Sequence, residues 1–202
     1  YKAIRKSVGD DYPVGIKLNS ADFQKSGFSQ EESMEVAACL EQAGIDLIEI
    51  SGGNYEAPSM TGYRVKSSTL KREAYFLDYA EQLQGTVSVP RVVTGGFRSA
   101  KAMSQALESG AADMIGLARP LAVEPGFPNS ILSDPGYRYR HKEPTTGIKA
   151  MDRMAMLSIT WYEEQIKRIA QGRPTDPRLS AWKTVYRTLK GMSAKSFSKR
   201  RA

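Results

Sequence analysis

The stretch VVTGGFRS, residues 92–99, decides the fold of this chain. The apolar run 90–93 has the length and composition of a buried strand. Two glycines interrupt it, and Ser99 then precedes the amphipathic run 100–109 as a helix N-cap does. A strand, a diglycine turn and a capped helix leave backbone N–H groups beside a positive helix end, and paired glycines let an anion approach without meeting a Cβ. The stretch therefore predicts a phosphate-binding turn.

A second strand end of similar character follows further along the chain. The run ADMIGL, residues 112–117, is short and apolar and leads into Ala118 and Arg119. The small side chain of Ala118 lets a ligand come close, and Arg119 supplies a fixed positive charge. Two such ends on consecutive parallel strands can hold one phosphate from both sides, as the loops after strands seven and eight of TIM barrels do.

These motifs resemble the last two strands of the old yellow enzyme family. The resemblance lies in TGGFRS (94–99) and GLARPL (116–121), and upstream VGIKLN (14–19) and DLIEISGG (46–53) resemble the family's fifth and sixth strands. The match keeps this order over residues 1–130. Members are FMN-dependent NAD(P)H oxidoreductases, of the NADH:flavin oxidoreductase / NADH oxidase type, with a (β/α)8 barrel. The resemblance implies that the chain corresponds to the C-terminal half of such an enzyme.

The order of predicted elements is β-α-β-α-β-α-β, which favours a parallel α/β sheet. The capping box formed by Ser29 and Glu32 marks one helix start. We predict strands at 13–18, 45–50, 91–93 and 112–117, helices at 29–43, 70–83 and 99–108, and the last turns of a helix at 1–8. Four strands make half of a TIM barrel, so the expected fold is about four βα units with a C-terminal helical extension.

We divide the chain into a half barrel that binds the flavin phosphate (1–130), a loop and helical extension (131–180) and a basic, mobile tail (181–202). Residues 124–139 are rich in Pro, Gly and Asp and are expected to be irregular. An amphipathic helix is predicted over 152–171, and its apolar residues near one face are Met156, Ile159, Tyr162, Ile166 and Ile169. A further short helix is expected at 181–189, and the last dozen residues are expected to be disordered.

Composition indicates an ordinary soluble protein. The chain has 202 residues, short for a complete TIM barrel of about 250. Its net charge of +7 resides in residues 181–202, which contain seven basic residues and no acid. We expect this tail to be solvated, with nucleic acid an improbable partner. No apolar run is long enough to span a membrane, and the N-terminus lacks the apolar core of a signal peptide. The single cysteine fits a reducing compartment. We therefore expect a cytoplasmic protein.

The resemblance implies six cofactor-binding residues: Lys17, Gly95, Gly96, Phe97, Ala118 and Arg119. Lys17 would face the pyrimidine edge of the flavin, where a cation stabilises negative charge. The three turn residues would give backbone N–H groups to the FMN phosphate, and the last two would close its other side. The role of Arg98 stays open.

No catalytic residue is assigned, because the family's acid tyrosine and substrate-anchoring pair belong to its first four strands. Asn54, Tyr55 and Tyr63 lie in a long predicted loop and are interpreted as loop packing. His141 is interpreted as a solvated loop residue and Cys39 as a small core residue. With one histidine and one cysteine, no zinc site is expected.

The function implied by the resemblance is the reduction of an activated alkene, such as an α,β-unsaturated carbonyl, by NADH or NADPH through bound FMN. The isolated chain is expected to be incomplete: it is either a fragment of a longer enzyme, or it pairs with a second copy or with a separate N-terminal half. Two alternatives stay open. One is a phosphate-binding barrel lyase or aldolase, in which Lys17 would form a Schiff base. The other is a non-catalytic half-barrel interaction module with a basic tail.

Overall fold

A computed structural model describes residues 1–52 and 73–197, with side chains to residue 191. Its strands are β1 (Gly15–Asn19), β2 (Leu47–Ser51), β3 (Arg91–Thr94) and β4 (Met114–Gly116). The helices within the described ranges are α1 (Lys2–Val8), α2 (Gln30–Gln42), α3 (Leu77–Leu83), α4 (Ala100–Glu108), α5 (Arg119–Val123), α6 (Phe127–Ser133), α7 (Lys149–Met154), α8 (Leu157–Ala170) and α9 (Ala181–Phe197). No helix in this part of the chain is both long and apolar enough to cross a membrane.

The four strands form one parallel sheet in the order β1-β2-β3-β4. Each strand is followed along the chain by helical structure, as parallel pairing requires. In the register, Lys17 stands opposite Glu49, Glu49 opposite Val92, and Val92 opposite Met114. The predicted parallel α/β sheet is therefore confirmed.

The two faces of the sheet differ in composition because side chains alternate along a strand. One face buries Ile48, Ile50 and Val93 completely. The other face carries the register row of Lys17 and Glu49, and Met114 in that row is 56% exposed. One face thus forms the core, and the other is open around a charged centre.

Helix ends follow the predicted capping signals. Ser29 Oγ accepts the Glu32 N–H at 3.2 Å, and the Glu32 carboxylate accepts the Ser29 N–H at 2.8 Å, which closes a capping box. Ser99 caps α4 by accepting the Ala102 N–H at 3.3 Å, and Gly110 after that helix has φ +72°. The predicted starts of α2 and α4 are confirmed.

The predicted helix 70–83 is too long. Helix α3 begins only at Leu77, and Glu73 and Ala74 have φ of +61° and +43°, which no α-helix contains. The predicted loop residues Asn54, Tyr55 and Tyr63 lie outside the described residues. Cys39 is exposed on α2, so its interpretation as a core residue is wrong; Ser33 and Ala37 form the buried stripe instead.

The chain divides into two compact units. The first comprises Tyr1–Ala118 with Ser130–Arg138, and the second comprises Arg119–Asn129 with Tyr139–Ala202. The sheet and α1 to α4 belong to the first unit. Helices α5, α7, α8 and α9 belong to the second.

In the second unit, the single helix predicted over 152–171 is two helices, α7 and α8. They are separated at Met156, whose φ is +46°. The predicted apolar face is only partly buried: Tyr162 is buried as expected, but Ile166 is 55% exposed and Ile169 is exposed as well. The side chains that α8 buries are Leu157, Trp161, Tyr162 and Gln165.

Polar anchors select the buried face of α8. The Trp161 indole N–H donates to the Leu179 carbonyl at 2.9 Å. The Gln165 side-chain amide donates to the Asp176 carbonyl at 3.0 Å and accepts the Asp176 N–H at 2.7 Å. These hydrogen bonds satisfy backbone groups of Leu179 and Asp176, which explains why Gln165 is buried on α8 although the hydrophobic pattern predicted an isoleucine on the apolar face.

Two further segments are more ordered than their composition indicated. The stretch 124–139 contains helix α6 instead of being irregular throughout. Helix α9 runs through Phe197, buries Thr184 and Val185, and pairs Arg187 with Glu164 at 2.5 Å. The short helix predicted at 181–189 is therefore present and longer, and 191–197 are helical where disorder was expected.

Candidate functional site

The diglycine turn after β3 needs glycine at both positions. Gly95 has φ +132° and Gly96 φ +87°, both in the region that favours glycine. A Cβ on Gly96 would lie 2.6 Å from the ring of Tyr75, and one on Gly95 would lie 2.9 Å from the ring of Phe76. The two aromatic rings therefore pack directly on the turn.

Two backbone donors of the turn are available to a ligand. Within residues 1–52 and 73–197, the N–H groups of Gly96 and Phe97 have no hydrogen-bond acceptor. The Phe97 side chain is buried, which anchors its backbone. Adjacent backbone N–H groups in a glycine turn form a concave anion site. The donor chemistry of this turn therefore fits a phosphate group such as that of FMN.

The helix end beside the turn is occupied by a carboxylate that the sequence did not indicate. The Glu73 carboxylate accepts the N–H groups of Arg98 at 2.6 Å and Ser99 at 3.0 Å. The N–H groups of Arg98 and Ser99 at the start of α4 are therefore not available to a ligand. No role was predicted for Arg98, and the structure shows that its backbone N–H donates to Glu73.

Lys17 lies at the open face of the sheet within a polar chain of contacts. Its Nζ is 2.5 Å from Glu49 Oε1, and Thr94 Oγ1 donates to the same oxygen at 2.8 Å. Burial raises the pKa of Glu49, but the hydrogen bonds from Lys17 and Thr94 and the charge of Lys17 outweigh it, so the pKa lies below its usual value. Because Thr94 directly precedes Gly95, these contacts link Lys17 to the diglycine turn.

The exit of β4 lies beside this centre in the register. Gly116 pairs with Thr94, and a Cβ on Gly116 would lie 1.7 Å from Thr94 Oγ1. Glycine is therefore required for Thr94 to reach Glu49. Ala118 follows two residues later and is exposed. The turn and Ala118 thus follow the carboxyl ends of the neighbouring strands β3 and β4, whereas Lys17 lies in the middle of β1 and is linked to the turn through Glu49 and Thr94.

Arg119 belongs to the second unit, where it is the first residue of α5. Its Nη1 lies 2.8 Å from Glu143 Oε1, and the Tyr162 hydroxyl donates to Glu143 Oε2 at 3.0 Å. Burial, together with the charge of Glu143, raises the pKa of Tyr162 above its ordinary range. The predicted cation is therefore present, with its guanidinium already engaged by a carboxylate.

His141 belongs to an aromatic cluster of the second unit. Its ring stacks on Trp161 at 4.9 Å between centroids and an interplanar angle of 19°, and the Tyr139 ring lies 6.1 Å away. His141 lies in a loop as predicted, but its ring is half-buried against Trp161, so the interpretation of its side chain as solvated is wrong. The sequence signal was weak because Trp161 is remote along the chain.

Comparison with known proteins identifies the family. The model of the NADH:flavin oxidoreductase / NADH oxidase family matches residues 1–134, and the chain belongs to this family. The predicted family, its oxidoreductase class and its FMN and nicotinamide cofactors are thereby confirmed at family level. Membership favours the flavin hypothesis over the lyase and interaction-module alternatives.

Curated relatives share the family region. The chain is 40% identical over 139 residues to the NADH-dependent flavin oxidoreductase iccE of Talaromyces variabilis, covering 66% of this chain and 34% of the relative. It is 35% identical over 153 residues to the NADH-dependent flavin oxidoreductase nadA of Aspergillus parasiticus, covering 75% and 32%. A cinnamate reductase of Clostridium sporogenes is 29% identical over 145 residues, covering 65% and 21%. The chain spans about a third of the length of the first two.

A solved structure supports the fold. The 6-hydroxypseudooxynicotine amine oxidase HisD of Pseudomonas geniculata N1 matches with a TM-score of 0.53 and 22% identity. The match covers 65% of this chain and 19% of that protein. At this identity the similarity concerns the fold alone, which agrees with the parallel α/β sheet.

Proposed function

We propose that this chain provides the phosphate-binding side of an FMN site in an enzyme that uses NADH or NADPH to reduce activated alkenes. The observation that carries the proposal is the pair of available N–H groups at Gly96 and Phe97, in a chain of the flavin oxidoreductase family. One relative is named as a cinnamate reductase. Cinnamate has a C=C bond conjugated with a carboxylate, which supports an α,β-unsaturated carbonyl as the substrate class. A cytoplasmic location is part of the proposal.

The turn would anchor the cofactor through its phosphate. Gly96 and Phe97 would each donate a backbone N–H, and such charge-assisted bonds are stronger than neutral ones. Ala118 would leave room for the phosphate at the next strand end. Arg119 belongs to the second unit, where Glu143 holds its guanidinium, so its contact with the phosphate stays a prediction from the family resemblance.

Lys17 would set the electrostatics of the ring site. Bound FMN supplies the hydride transfer chemistry of the family. The Lys17 ammonium would stabilise negative charge on the pyrimidine edge, and a fixed cation does so without reorganisation. Glu49 holds Lys17 at 2.5 Å and is itself held by Thr94, so the cation is positioned before a ligand arrives.

The working enzyme needs more than this sheet. Within the described residues, β1 and β4 are the edge strands of a four-stranded parallel sheet, and Met114 is exposed on its open face. Exposed edges of a parallel sheet are unfavourable. We therefore propose that four further strands, from a second copy or from another segment of the enzyme, close the barrel and supply the catalytic residues. The chain alone is expected to show little alkene reduction.

Flavin binding tests the proposal directly. The full chain is incubated with FMN, passed through a gel-filtration column and examined by visible absorption. We expect flavin to elute with the protein, and elution at twice the monomer mass would support closure by a second copy. Flavin that elutes only as free FMN contradicts the proposal.

A lysine variant tests the ring site separately. Lys17→Met is expected to lower the reduction potential of the bound flavin, because a nearby positive charge is lost. Lys101→Met is the matched control, since Lys101 is an exposed lysine of α4 and the change in charge is the same. Equal potentials for the two variants would contradict the assignment of Lys17.

A further inference from the structure

The segment 73–76, which we call the strap, has an unusual backbone. Glu73 and Ala74 both have positive φ, +61° and +43°. Such values are unfavourable for residues other than glycine and persist where surrounding contacts impose them. The Glu73 side chain is 3% exposed, and Ala74 and Phe76 are buried. A strained, buried segment requires specific contacts to hold it.

The strap contacts the diglycine turn on both sides of its two available N–H groups. On one side, the Tyr75 N–H donates to the Gly95 carbonyl at 3.0 Å. On the other, the Glu73 carboxylate accepts the N–H groups of Arg98 at 2.6 Å and Ser99 at 3.0 Å. The backbone of Gly96 and Phe97 therefore lies between two fixed points.

The charge of Glu73 is compensated within the first unit. Arg138 Nη1 lies 2.9 Å from Glu73 Oε1, and the backbone of Arg138 forms a bridge with Ser99. The Ser99 hydroxyl also lies 3.2 Å from both carboxylate oxygens. A phosphate at the neighbouring N–H groups would therefore not face an unpaired buried carboxylate.

We infer that Glu73 is a positioning residue that holds the turn in its phosphate-binding shape and thereby makes the site prefer FMN over riboflavin. The inference rests on the proposed function. Glu73 bonds the N–H groups of Arg98 and Ser99 and leaves those of Gly96 and Phe97 for the phosphate. Riboflavin lacks the phosphate, so its binding does not use these donors.

The test compares the affinities of the full chain for FMN and riboflavin, measured by fluorescence titration. Glu73→Ala removes the contacts with Arg98 and Ser99 and is expected to weaken FMN binding about tenfold or more. Riboflavin binding is expected to change less than about threefold. Glu73→Gln keeps a side-chain carbonyl that can accept both N–H groups, and it is expected to retain most of the preference for FMN.

Glu41 offers a matched control at the opposite end of β3. Its carboxylate accepts the N–H groups of Ser88 at 2.6 Å and Val89 at 3.1 Å, the same kind of contact remote from the turn. Glu41→Ala is expected to lower stability and to leave the ratio of the two affinities unchanged. If Glu73 contributes to stability alone, Glu73→Ala will likewise lower stability and leave the ratio of the two affinities unchanged.

Each outcome decides between distinct conclusions. A selective loss of FMN affinity in Glu73→Ala, with Glu73→Gln close to wild type, supports the inference. If the ratio of FMN affinity to riboflavin affinity is unchanged in Glu73→Ala, the inference is overturned. Loss of the preference for FMN in Glu73→Gln also overturns it, and this second result is decisive even if Glu73→Ala does not fold. A wild-type chain that binds FMN no better than riboflavin contradicts the proposed function itself, and the inference with it.

Discussion

Replacing Gly96 by alanine combines two penalties at the centre of the site. Gly96 has φ +87°, a region in which a side chain is strained. The added Cβ would lie 2.6 Å from two ring atoms of Tyr75, much closer than normal van der Waals contact. Gly96→Ala therefore has to distort the turn, displace the ring, or do both.

The magnitude can be estimated from these two terms. A left-handed conformation costs an alanine about 1–2 kcal/mol. Forcing additional volume into a packed site costs about 1–3 kcal/mol. We expect Gly96→Ala to lower the free energy of unfolding by about 2–5 kcal/mol. Gly110→Ala is the control for the backbone term, because Gly110 has φ +72° and its Cβ would meet only the end of the flexible Gln84 side chain at 2.9 Å.

Urea denaturation of the full chain measures both variants. Gly110→Ala is expected to cost only the backbone term, about 1–2 kcal/mol. Combining Gly96→Ala with Tyr75→Ala removes the ring and is expected to recover the packing term, with a coupling energy of about 1–3 kcal/mol. Equal losses for Gly96→Ala and Gly110→Ala, or strictly additive effects in the double variant, would refute the packing of Tyr75 on the turn.

Three other perturbations have defined outcomes. The pKa of Glu49 is lower in the folded protein than in the unfolded chain, so its pairing with Lys17 stabilises the fold at pH values above the ordinary glutamate pKa of about 4.3. This stabilisation is lost as the pH falls through the lower pKa of Glu49 in the folded protein. Wild type and Glu49→Gln should differ in free energy of unfolding by about 1 kcal/mol at most, and this difference should become smaller below about pH 4 in urea titrations. A difference that does not depend on pH would contradict the pairing of Glu49 with Lys17. Tyr162→Phe removes a hydrogen bond to the Glu143 carboxylate and should cost about 1–3 kcal/mol by the same assay, whereas no loss would contradict that bond. Met156→Gly relieves a positive φ and should raise the melting temperature; a lower value would argue against the strain.

Local sequence signals predicted the framework well. The alternation of short apolar runs with capped helices gave the parallel sheet, because each element carries its own start and stop residues. The capping pair Ser29 and Glu32 and the cap at Ser99 act within three residues, so the sequence displays them directly. The diglycine turn was recognised for the same reason.

Contacts between remote residues account for what was missed. Glu73 accepts hydrogen bonds from residues 98 and 99, and no local pattern indicates that a glutamate within a predicted helix will leave the helical conformation to form these bonds. The buried face of α8 was partly misassigned because the side chains of Trp161 and Gln165 form hydrogen bonds with the backbone of residues 179 and 176. In each case a long-range hydrogen bond overrides the local hydrophobic pattern.

The most direct test of the central claim is the ³¹P NMR spectrum of FMN bound to the full chain, followed as a function of pH. If the N–H groups of Gly96 and Phe97 hold the phosphate, its resonance should shift on binding and should not titrate near pH 6, where a free phosphate monoester does. Bound flavin whose phosphorus resonance keeps the position and titration of free FMN would contradict the claim that the diglycine turn is a phosphate site.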